Sequence, residues 1–348
     1  MGVGFARKVK GALWAALHRG GFLSRWHQWR NRETLTVVLF HQVLPFPARQ
    51  PGGTWPGCAV TPGFFEECLE FFSAHYHIVT LDQVVSALDA TSKLPSCALL
   101  ITFDDGWKDT LEQAYPILAR HQAPAVLFAI GRLGDGREMW HEPVIRAWLS
   151  GSVDMQKWVD FWRVTFGGRP APTPFRLDDL HKLLAELDGH DDTERASMVA
   201  PLGVEPPSPD VMMNQAQLRA FANPPNAVGG HGWSHLPFTA LDDPQREFDL
   251  SRQHIASALD KSPMAIKTMS WPHGRYTQEL VRMAHAAGYE CLFTSDQVLN
   301  PTKAGKPPEV LGRFEPGMSY LADNEGHLLR ERLASLLFRL PIRALGIE

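Results

Sequence analysis

The sequence is poor in cysteine. Its 348 residues contain four, none of them in a C-x-x-C pair: Cys58, Cys68, Cys97 and Cys291. Since Cys97 falls in a predicted core strand, the cysteines argue against a disulfide framework and for a reducing compartment. No apolar run reaches the length of a transmembrane helix, and no small-residue cleavage site clearly follows the short apolar run at 11–17. The net charge of −4 gives no case for nucleic-acid binding. We therefore expect a cytoplasmic globular protein.

Acidic residues are missing from the first 32 positions, which hold seven Arg and Lys. Apolar residues fall on one helical stripe and basic residues lie mostly opposite. Residues 1–33 are therefore predicted to form a basic amphipathic segment, which either lies on the anionic inner face of the cytoplasmic membrane or packs on the outside of the protein. The tail repeats this pattern, and a basic amphipathic helix is predicted within 321–348.

Strand-like and helix-like stretches alternate over residues 34–320, which predicts an α/β fold of parallel strands closed into a barrel with helices outside. Strands are predicted at 35–41, 77–80, 97–103, 125–130, 226–230, 265–271, 289–294 and 309–314. Helices are predicted at 63–75, 81–90, 108–121, 243–260 and 277–287. From about 137 to 222 the pattern is helical, rich in tryptophan and without strands. This stretch is predicted to be a helical insertion that serves as a lid or a scaffold.

Two adjacent carboxylates, Asp104 and Asp105, follow the apolar run 97–103. Acids delivered at the carboxyl end of a strand, before a helix, are typical of active sites in α/β folds. Adjacent carboxylates repel each other, so such a pair is favoured where a bound cation offsets the repulsion. One carboxylate then binds the metal, and its neighbour stays free to accept a proton. The simpler alternative is that both residues only cap the next helix.

Two histidines, His231 and His235, are spaced to chelate one ion after another predicted strand. Gly232 follows His231 where the HExxH zinc proteases have glutamate, so the base must come from elsewhere. Asp104 fits that role, and Asp105, His231 and His235 make a three-ligand site with open positions for water and substrate. Mixed nitrogen and oxygen ligands suit zinc, with cobalt or nickel as alternatives.

Thr-Phe-Asp-Asp-Gly at 102–106 with His-x-x-x-His at 231–235 resembles the polysaccharide deacetylases of the NodB-homology type, carbohydrate esterase family 4. Similarity extends to the strands at 37–43, 124–130 and 287–294, to the segment 60–82 and to Ser-Trp-Pro-His-Gly at 270–274. The resemblance implies a distorted barrel, Asp104 as base, Asp105 as metal ligand and the backbone N–H of His273 at the oxyanion. It is greatest to members that modify bacterial exopolysaccharides or cell-envelope glycans.

The sequence departs from the family pattern in three places, one of which is the aromatic wall often found after the strand that ends at 291–294, which is not recognisable here. Ser270 stands where the family often has an arginine that steadies the base, so another group such as Arg313 is predicted to hold Asp104. Arg313 itself stands where a histidine is often the general acid, and a guanidinium does not release its proton at workable pH. His41, at the end of the opening strand, is the predicted substitute, because an imidazole titrates near neutral pH. The alternative is that His41 only hydrogen-bonds its own loop.

The predicted activity is metal-dependent removal of N-acetyl or O-acetyl groups from an amino-sugar polysaccharide or its lipid-linked precursor. Two alternatives remain open at this point. One is a deformylase or N-deacylase of a lipid-linked amino sugar or a small amide, and the other is a barrel that binds glycan without hydrolysing it. The basic amphipathic ends fit a lipid-linked substrate somewhat better than a free polymer.

Overall fold

The strand Ala98–Asp105 (β5) is the centre of the sheet in the computed structural model, which describes residues 20–45, 58–133, 136–302 and 307–345. All of its residues are buried, as expected of a parallel strand that is covered on both faces. On one side it pairs in parallel with Thr34–Phe40 (β1), and on the other with Ala125–Ala129 (β6).

The remaining strands are short. They are Gln42–Val43 (β2), Ala59–Val60 (β3), His77–Ile78 (β4), Ala227–Gly230 (β7), Thr268–Ser270 (β8), Cys291–Phe293 (β9), Asn300–Pro301 (β10) and Val310–Leu311 (β11). Strands β6, β7, β8, β9 and β11 follow one another in parallel, whereas β10 lies antiparallel against β1.

Phe314, just beyond β11, closes the sheet on its first strand. Its N–H donates to the carbonyl of Val37 at 2.8 Å, and the N–H of Leu39 donates to the carbonyl of Phe314 at 2.9 Å. The result is a nearly closed barrel surrounded by helices, which confirms the predicted distorted (β/α) fold. Because the strands are parallel, their carboxyl ends meet at one end of the barrel, where such folds place their sites.

Helices begin at residues that satisfy their first N–H groups. The hydroxyl of Thr61 accepts from the N–H of Phe64 at 3.2 Å, and Asp243 accepts from the N–H of Arg246 at 3.2 Å. The helices are Phe22–Arg30 (α1), Pro62–His75 (α2), Leu81–Leu88 (α3), Tyr115–Arg120 (α4), Glu142–Ser150 (α5), Met155–Thr165 (α6), Leu177–Leu187 (α7), Asp192–Val199 (α8), Gln215–Phe221 (α9), Pro244–Ala258 (α10), Gln278–Ala286 (α11), Met318–Leu321 (α12) and Arg330–Leu337 (α13). Within the described ranges, no helix has both the length and the apolar content needed to cross a membrane.

One predicted boundary near the site was wrong. The central strand does not end at 103, because Asp104 and Asp105 still pair with β6. The helix does begin at 108, as predicted, but it contains a π-helical turn at Thr110–Ala114 before it continues as an α-helix from Tyr115. Pro116 lacks the N–H that a continuous α-helix would donate to the carbonyl of residue 112, which favours the wider turn.

The predicted insertion contains helices α5 to α9, and no named strand lies between β6 and β7 among the described residues. Helices α5 to α8 have a hydrophobic core of their own, built around the fully buried Trp158 and the leucines of α7, whereas Leu218 and Phe221 of α9 pack into the core of the barrel. Leu236, in the loop after the histidine pair, also packs into the core of α5 to α8. The insertion is therefore anchored next to the strand ends that carry the site.

The terminal helices pack on each other. Asn31 and Arg30, at the end of α1, both donate to the carbonyl of Phe338 at 2.9 Å, and the ring of His27 stacks on Phe338 at 4.0 Å. Residues 1–19 of the predicted amphipathic segment and 346–348 of the tail lie outside the described residues.

Candidate active site

A cleft of about 250 Å³ opens at the carboxyl ends of the strands. It is lined by the predicted site residues His41, Asp104, Asp105, His231, His235 and His273. The seventh predicted residue, Arg313, is buried beneath Asp104. The barrel thus brings all seven together, although they come from five separate parts of the chain.

Asp105, His231 and His235 converge on one point. The Oδ1 atom of Asp105 lies 3.2 Å from the Nε2 atom of each histidine. The local backbone makes this possible: Asp105 has a φ of 76° and Gly232 a φ of 72°, so the chain turns sharply at both places. All three side chains are buried, and their ligand atoms lie within 4.8 Å of one another.

The far side of each ligand is fixed by a hydrogen bond. His231 uses Nδ1 to bond the carbonyl of Ser270 at 2.9 Å, and His235 uses Nδ1 to bond Oε1 of Glu142 at 2.8 Å. Each ring therefore turns its Nε2 atom towards Asp105, an orientation that metal-binding histidines commonly owe to such partners. The indole N–H of Trp107 donates to the other carboxylate oxygen of Asp105, Oδ2, at 2.8 Å.

These residues fit a divalent cation. Asp105 Oδ1 is buried and accepts no hydrogen bond from any described residue, although such atoms are normally satisfied. Burial opposes the charge of Asp105, but the imidazoles of His235 and His231 outweigh it and hold the pKa of Asp105 well below its usual range. Burial likewise disfavours a charged His235, yet the carboxylates of Asp105 and Glu142 raise its pKa to about 10. A divalent cation between these three side chains would take the place of the proton that His235 otherwise holds.

Asp104 is held by a different cation. The guanidinium of Arg313 donates from Nη1 to Oδ1 and from Nη2 to Oδ2 of Asp104, both at 2.7 Å. The hydroxyl of Ser270 donates to the same carboxylate at 3.0 Å and accepts from Arg313 at 2.7 Å. Burial would raise the pKa of Asp104, but the charge of Arg313 outweighs burial and lowers it. Asp104 is therefore an ionised carboxylate at neutral pH.

His41 directly follows β1 and pairs with Glu315, with 3.0 Å between Nδ1 and Oε1. Burial lowers the pKa of the imidazole, but the carboxylate of Glu315 outweighs it and raises that pKa to about 9. His41 is therefore protonated at neutral pH. It does not simply bond its own loop, because its partner lies 274 residues further along the chain.

His273 lies in a turn with a φ of 56°, stacked on the ring of His235 at 4.9 Å. Its Nε2 atom bonds the carbonyl of His235 at 3.1 Å, and burial holds its pKa well below the usual value, so the ring is neutral. At Gly274 a Cβ atom would lie 2.4 Å from Oγ of Ser295. This position accepts only glycine, and it keeps the backbone of the motif close to the cleft.

Two residues of the insertion belong to the site and were not predicted. Glu142, the first residue of α5, orients His235. His181, in α7, lines the cleft with its ring 4.9 Å from that of His273. Its side chain is buried, and neither ring nitrogen has a hydrogen-bond partner among the described residues. Neither residue lies in a recognisable motif, so no local signal in the sequence marks them.

Comparisons with known proteins agree with this geometry. The family model described as "Polysaccharide deacetylase" matches residues 91–156 and 199–292, which include Asp104, Asp105, His231 and His235. The fold and the site thus define a (β/α) barrel protein whose candidate active site lies at the carboxyl ends of its strands. Over these two segments the chain matches the polysaccharide deacetylase family. The unmatched residues 157–198 all lie within the helical insertion.

Solved structures with a similar fold are all distant in sequence. The Streptococcus pyogenes deacetylase PplD matches with a TM-score of 0.53 at 15% identity, over 87% of this chain and 98% of its own. IcaB from Ammonifex degensii matches with a TM-score of 0.52 at 15% identity, over 88% of this chain and 97% of its own. A de-N-acetylase from Aggregatibacter actinomycetemcomitans matches with a TM-score of 0.51 at 15% identity, over 80% of this chain and 94% of its own. No curated protein matches this chain.

The first prediction concerns the metal ligands. Asp105→Ala, His231→Ala and His235→Ala should each sharply lower the amount of divalent metal retained after dialysis, because three protein ligands leave no spare. Glu142→Gln should weaken metal affinity by about 10–100-fold, since it removes the carboxylate that orients His235. Glu138→Gln is the matched control, because Glu138 is a buried carboxylate of the same region that pairs with Arg146 instead. Full metal content in all three ligand variants would contradict this assignment.

The second prediction concerns His181. A buried imidazole without hydrogen bonds costs free energy, so His181→Leu should leave the free energy of unfolding unchanged or raise it by about 1–3 kcal/mol. His141→Leu is the control, because the Nε2 of His141 bonds the carbonyl of Ser234 at 2.8 Å and this bond would be lost. Urea unfolding of both variants measures the difference. A less stable His181→Leu variant would show that the ring supports the fold.

Proposed function

We propose that the protein is a metal-dependent hydrolase that removes acetyl groups from an amino-sugar glycan or its lipid-linked precursor. The observation that carries this proposal is the placement of an ionised base beside a metal site. Asp104 is held in its charged form by Arg313, and its Oδ2 atom lies 3.9 Å from the Nε2 atom of His231. A barrel that only binds glycan would have no use for this costly burial of charge.

The ligand set of Asp105, His231 and His235 favours zinc, with cobalt or nickel as alternatives. Such an ion would supply Lewis acidity to the substrate carbonyl and lower the pKa of water. Asp104 then takes the proton of the attacking water, and Arg313 keeps its carboxylate in place for this step. The family resemblance assigns the backbone N–H of His273 to the oxyanion, and the tight turn at Gly274 supports that assignment.

The leaving amine must receive a proton before the C–N bond breaks, and we assign this step to His41. It lines the same cleft as Asp104, and the carboxylate of Glu315 keeps it protonated at neutral pH. Arg313 is excluded as the donor because a guanidinium keeps its proton. The acid and the base thus come from two neighbouring strands: His41 follows β1, and Asp104 lies at the carboxyl end of β5, next to Arg313.

The acyl group is assigned as acetyl, and the substrate as an amino sugar, from the family and from the de-N-acetylase among the structural neighbours. His181 lines the same cleft, and a neutral imidazole carries one donor and one acceptor for a sugar hydroxyl or amide. Acetate and formate release from soluble oligosaccharide and from lipid-linked amino sugar tests this assignment. Formate release alone would favour the deformylase alternative, and no release from either would favour a binding protein.

Location at the inner face of the cytoplasmic membrane remains a proposal. Phe22 and Trp29 of α1 are 61% and 67% exposed, next to the basic segment at the amino terminus. Exposed aromatic residues beside basic residues suit an anionic membrane surface. Sedimentation of the full chain with anionic and with neutral vesicles tests this proposal. Equal binding to both kinds of vesicle, or binding to neither, would oppose it.

The third prediction concerns the base. Asp104→Asn should retain metal and lose at least about 10²-fold in turnover, because an amide cannot accept the proton. The variant should also be less stable, by about 3–5 kcal/mol, since Arg313 loses its buried counter-charge. Turnover is therefore measured where circular dichroism shows the variant fully folded. Ser270→Ala is the control, because it removes one hydrogen bond to Asp104 but keeps the base, and should lose far less. Substantial turnover in folded Asp104→Asn would assign the base elsewhere.

The fourth prediction concerns the acid. In the parent protein, turnover should fall as pH rises through about 9, where His41 loses its proton. His41→Gln should lower turnover at all pH values and flatten the alkaline limb of the pH profile, which is this fall above about pH 9. Glu315→Gln should keep the limb but move it to lower pH, because Glu315 is the group that raises the pKa of His41 against burial. An unchanged profile in His41→Gln would remove His41 from the mechanism.

A further inference from the structure

A second set of side chains that could hold a metal ion lies beside the same cleft, whose lining includes His41 and Cys58. His41, Cys58 and Glu315 each offer one ligand atom, and these atoms lie within 4.8 Å of one another. The shortest separation is the 3.0 Å between Nδ1 of His41 and Oε1 of Glu315, and the thiol of Cys58 hydrogen-bonds the same carboxylate. The described residues contain one other such group, which is the site of Asp105, His231 and His235.

The donor set selects the kind of metal. Thiolate, imidazole nitrogen and carboxylate oxygen together suit zinc and its close neighbours, whereas magnesium and calcium prefer oxygen alone. Metal–ligand bonds of about 2.0–2.3 Å at tetrahedral angles place ligand atoms about 3.3–3.8 Å apart, so the three side chains need only small movements. The side chains of His41 and Glu315 are 21% and 35% exposed, so an ion can enter from the cleft and keep a water as its fourth ligand.

We infer that His41, Cys58 and Glu315 form a second zinc site that inhibits the enzyme when it fills. This inference rests on the proposed role of His41 as proton donor. Binding displaces one proton from the Cys58 thiol and one from Nδ1 of His41, while the Glu315 carboxylate is already ionised. The ring of His41 is then neutral, and its remaining N–H is a far weaker acid than the imidazolium. The leaving amine would no longer receive its proton.

The second site should fill after the first. Glu315 already pairs with Nδ1 of His41 at 3.0 Å, so a metal must first break this contact. Asp105 and the histidines of the first site, in contrast, present a buried carboxylate oxygen that lacks a hydrogen bond. One equivalent of zinc therefore activates the protein, and a further equivalent inhibits it.

Cobalt titration of the metal-free full chain tests this inference without relying on activity, because a thiolate bound to Co²⁺ gives a charge-transfer band in the near ultraviolet. We expect two equivalents to bind, and the band to appear only with the second. Cys58→Ser should bind one equivalent without the band, keep the parent turnover with one zinc and resist inhibition by excess zinc. Cys97→Ser is the control for loss of a thiol and should keep the band, because Cys97 does not belong to the cluster.

His231→Ala separates this inference from the proposed function. It should lose the first equivalent and turnover but retain the thiolate band, which would place the second metal at Cys58 whether or not the protein is a deacetylase. A parent protein that binds one equivalent and shows no band would overturn the inference and leave the proposed function standing. Inhibition by excess zinc that persists unchanged in Cys58→Ser would also overturn it.

Discussion

The buried pair of Arg313 and Asp104 is the interaction on which the rest of the site depends. Taking two charges out of water is costly, and good hydrogen-bond geometry must offset that cost. Here the carboxylate accepts two bonds from the guanidinium and a third from Ser270, and Arg313 donates a further bond to the carbonyl of Thr294 at 2.9 Å. Arg313 directly precedes Phe314, whose backbone closes the barrel on β1. The segment that closes the barrel therefore also supplies the partner of Asp104.

Two adjacent carboxylates stay ionised because each has its own source of positive charge. Asp104 follows the alternation of β5 and faces Arg313, whereas the φ of 76° at Asp105 turns that side chain towards His231 and His235. The repulsion expected between neighbouring acids is thus offset at two separate points, which gives each carboxylate a different task. An uncommon backbone conformation at a functional residue is consistent with this division.

The sequence was informative where the chemistry is local and less so where distant segments meet. Asp104, Asp105, His231 and His235 lie in short motifs at strand ends, and the alternation of strands and helices predicted the barrel around them. The extension of β5 through Asp105 depends on pairing with β6, which is a tertiary effect that propensity does not report. Glu142 and His181 reach the site only because the insertion packs over it, and their sequence neighbours carry no pattern that indicates so. The pairing of Arg313 with Asp104 was proposed from a missing arginine at 270, and the structure has Ser270 bonded to both.

The insertion contributes to the site in two physically different ways. Glu142 lies in the part of the chain that the family model matches, and it fixes the orientation of a metal-binding histidine. His181 lies in the unmatched stretch 157–198, lines the cleft and belongs to the same helix as Asp178, which pairs with Arg275 beside the Trp-Pro-His-Gly turn. Orientation of a ligand serves every substrate equally, but polar groups in the wall of a cleft discriminate between substrates. We therefore expect residues 157–198 to set which glycan this barrel accepts, while the chemistry depends on Asp104, Asp105, His231 and His235 in the matched segments and on His41 and Arg313 outside them.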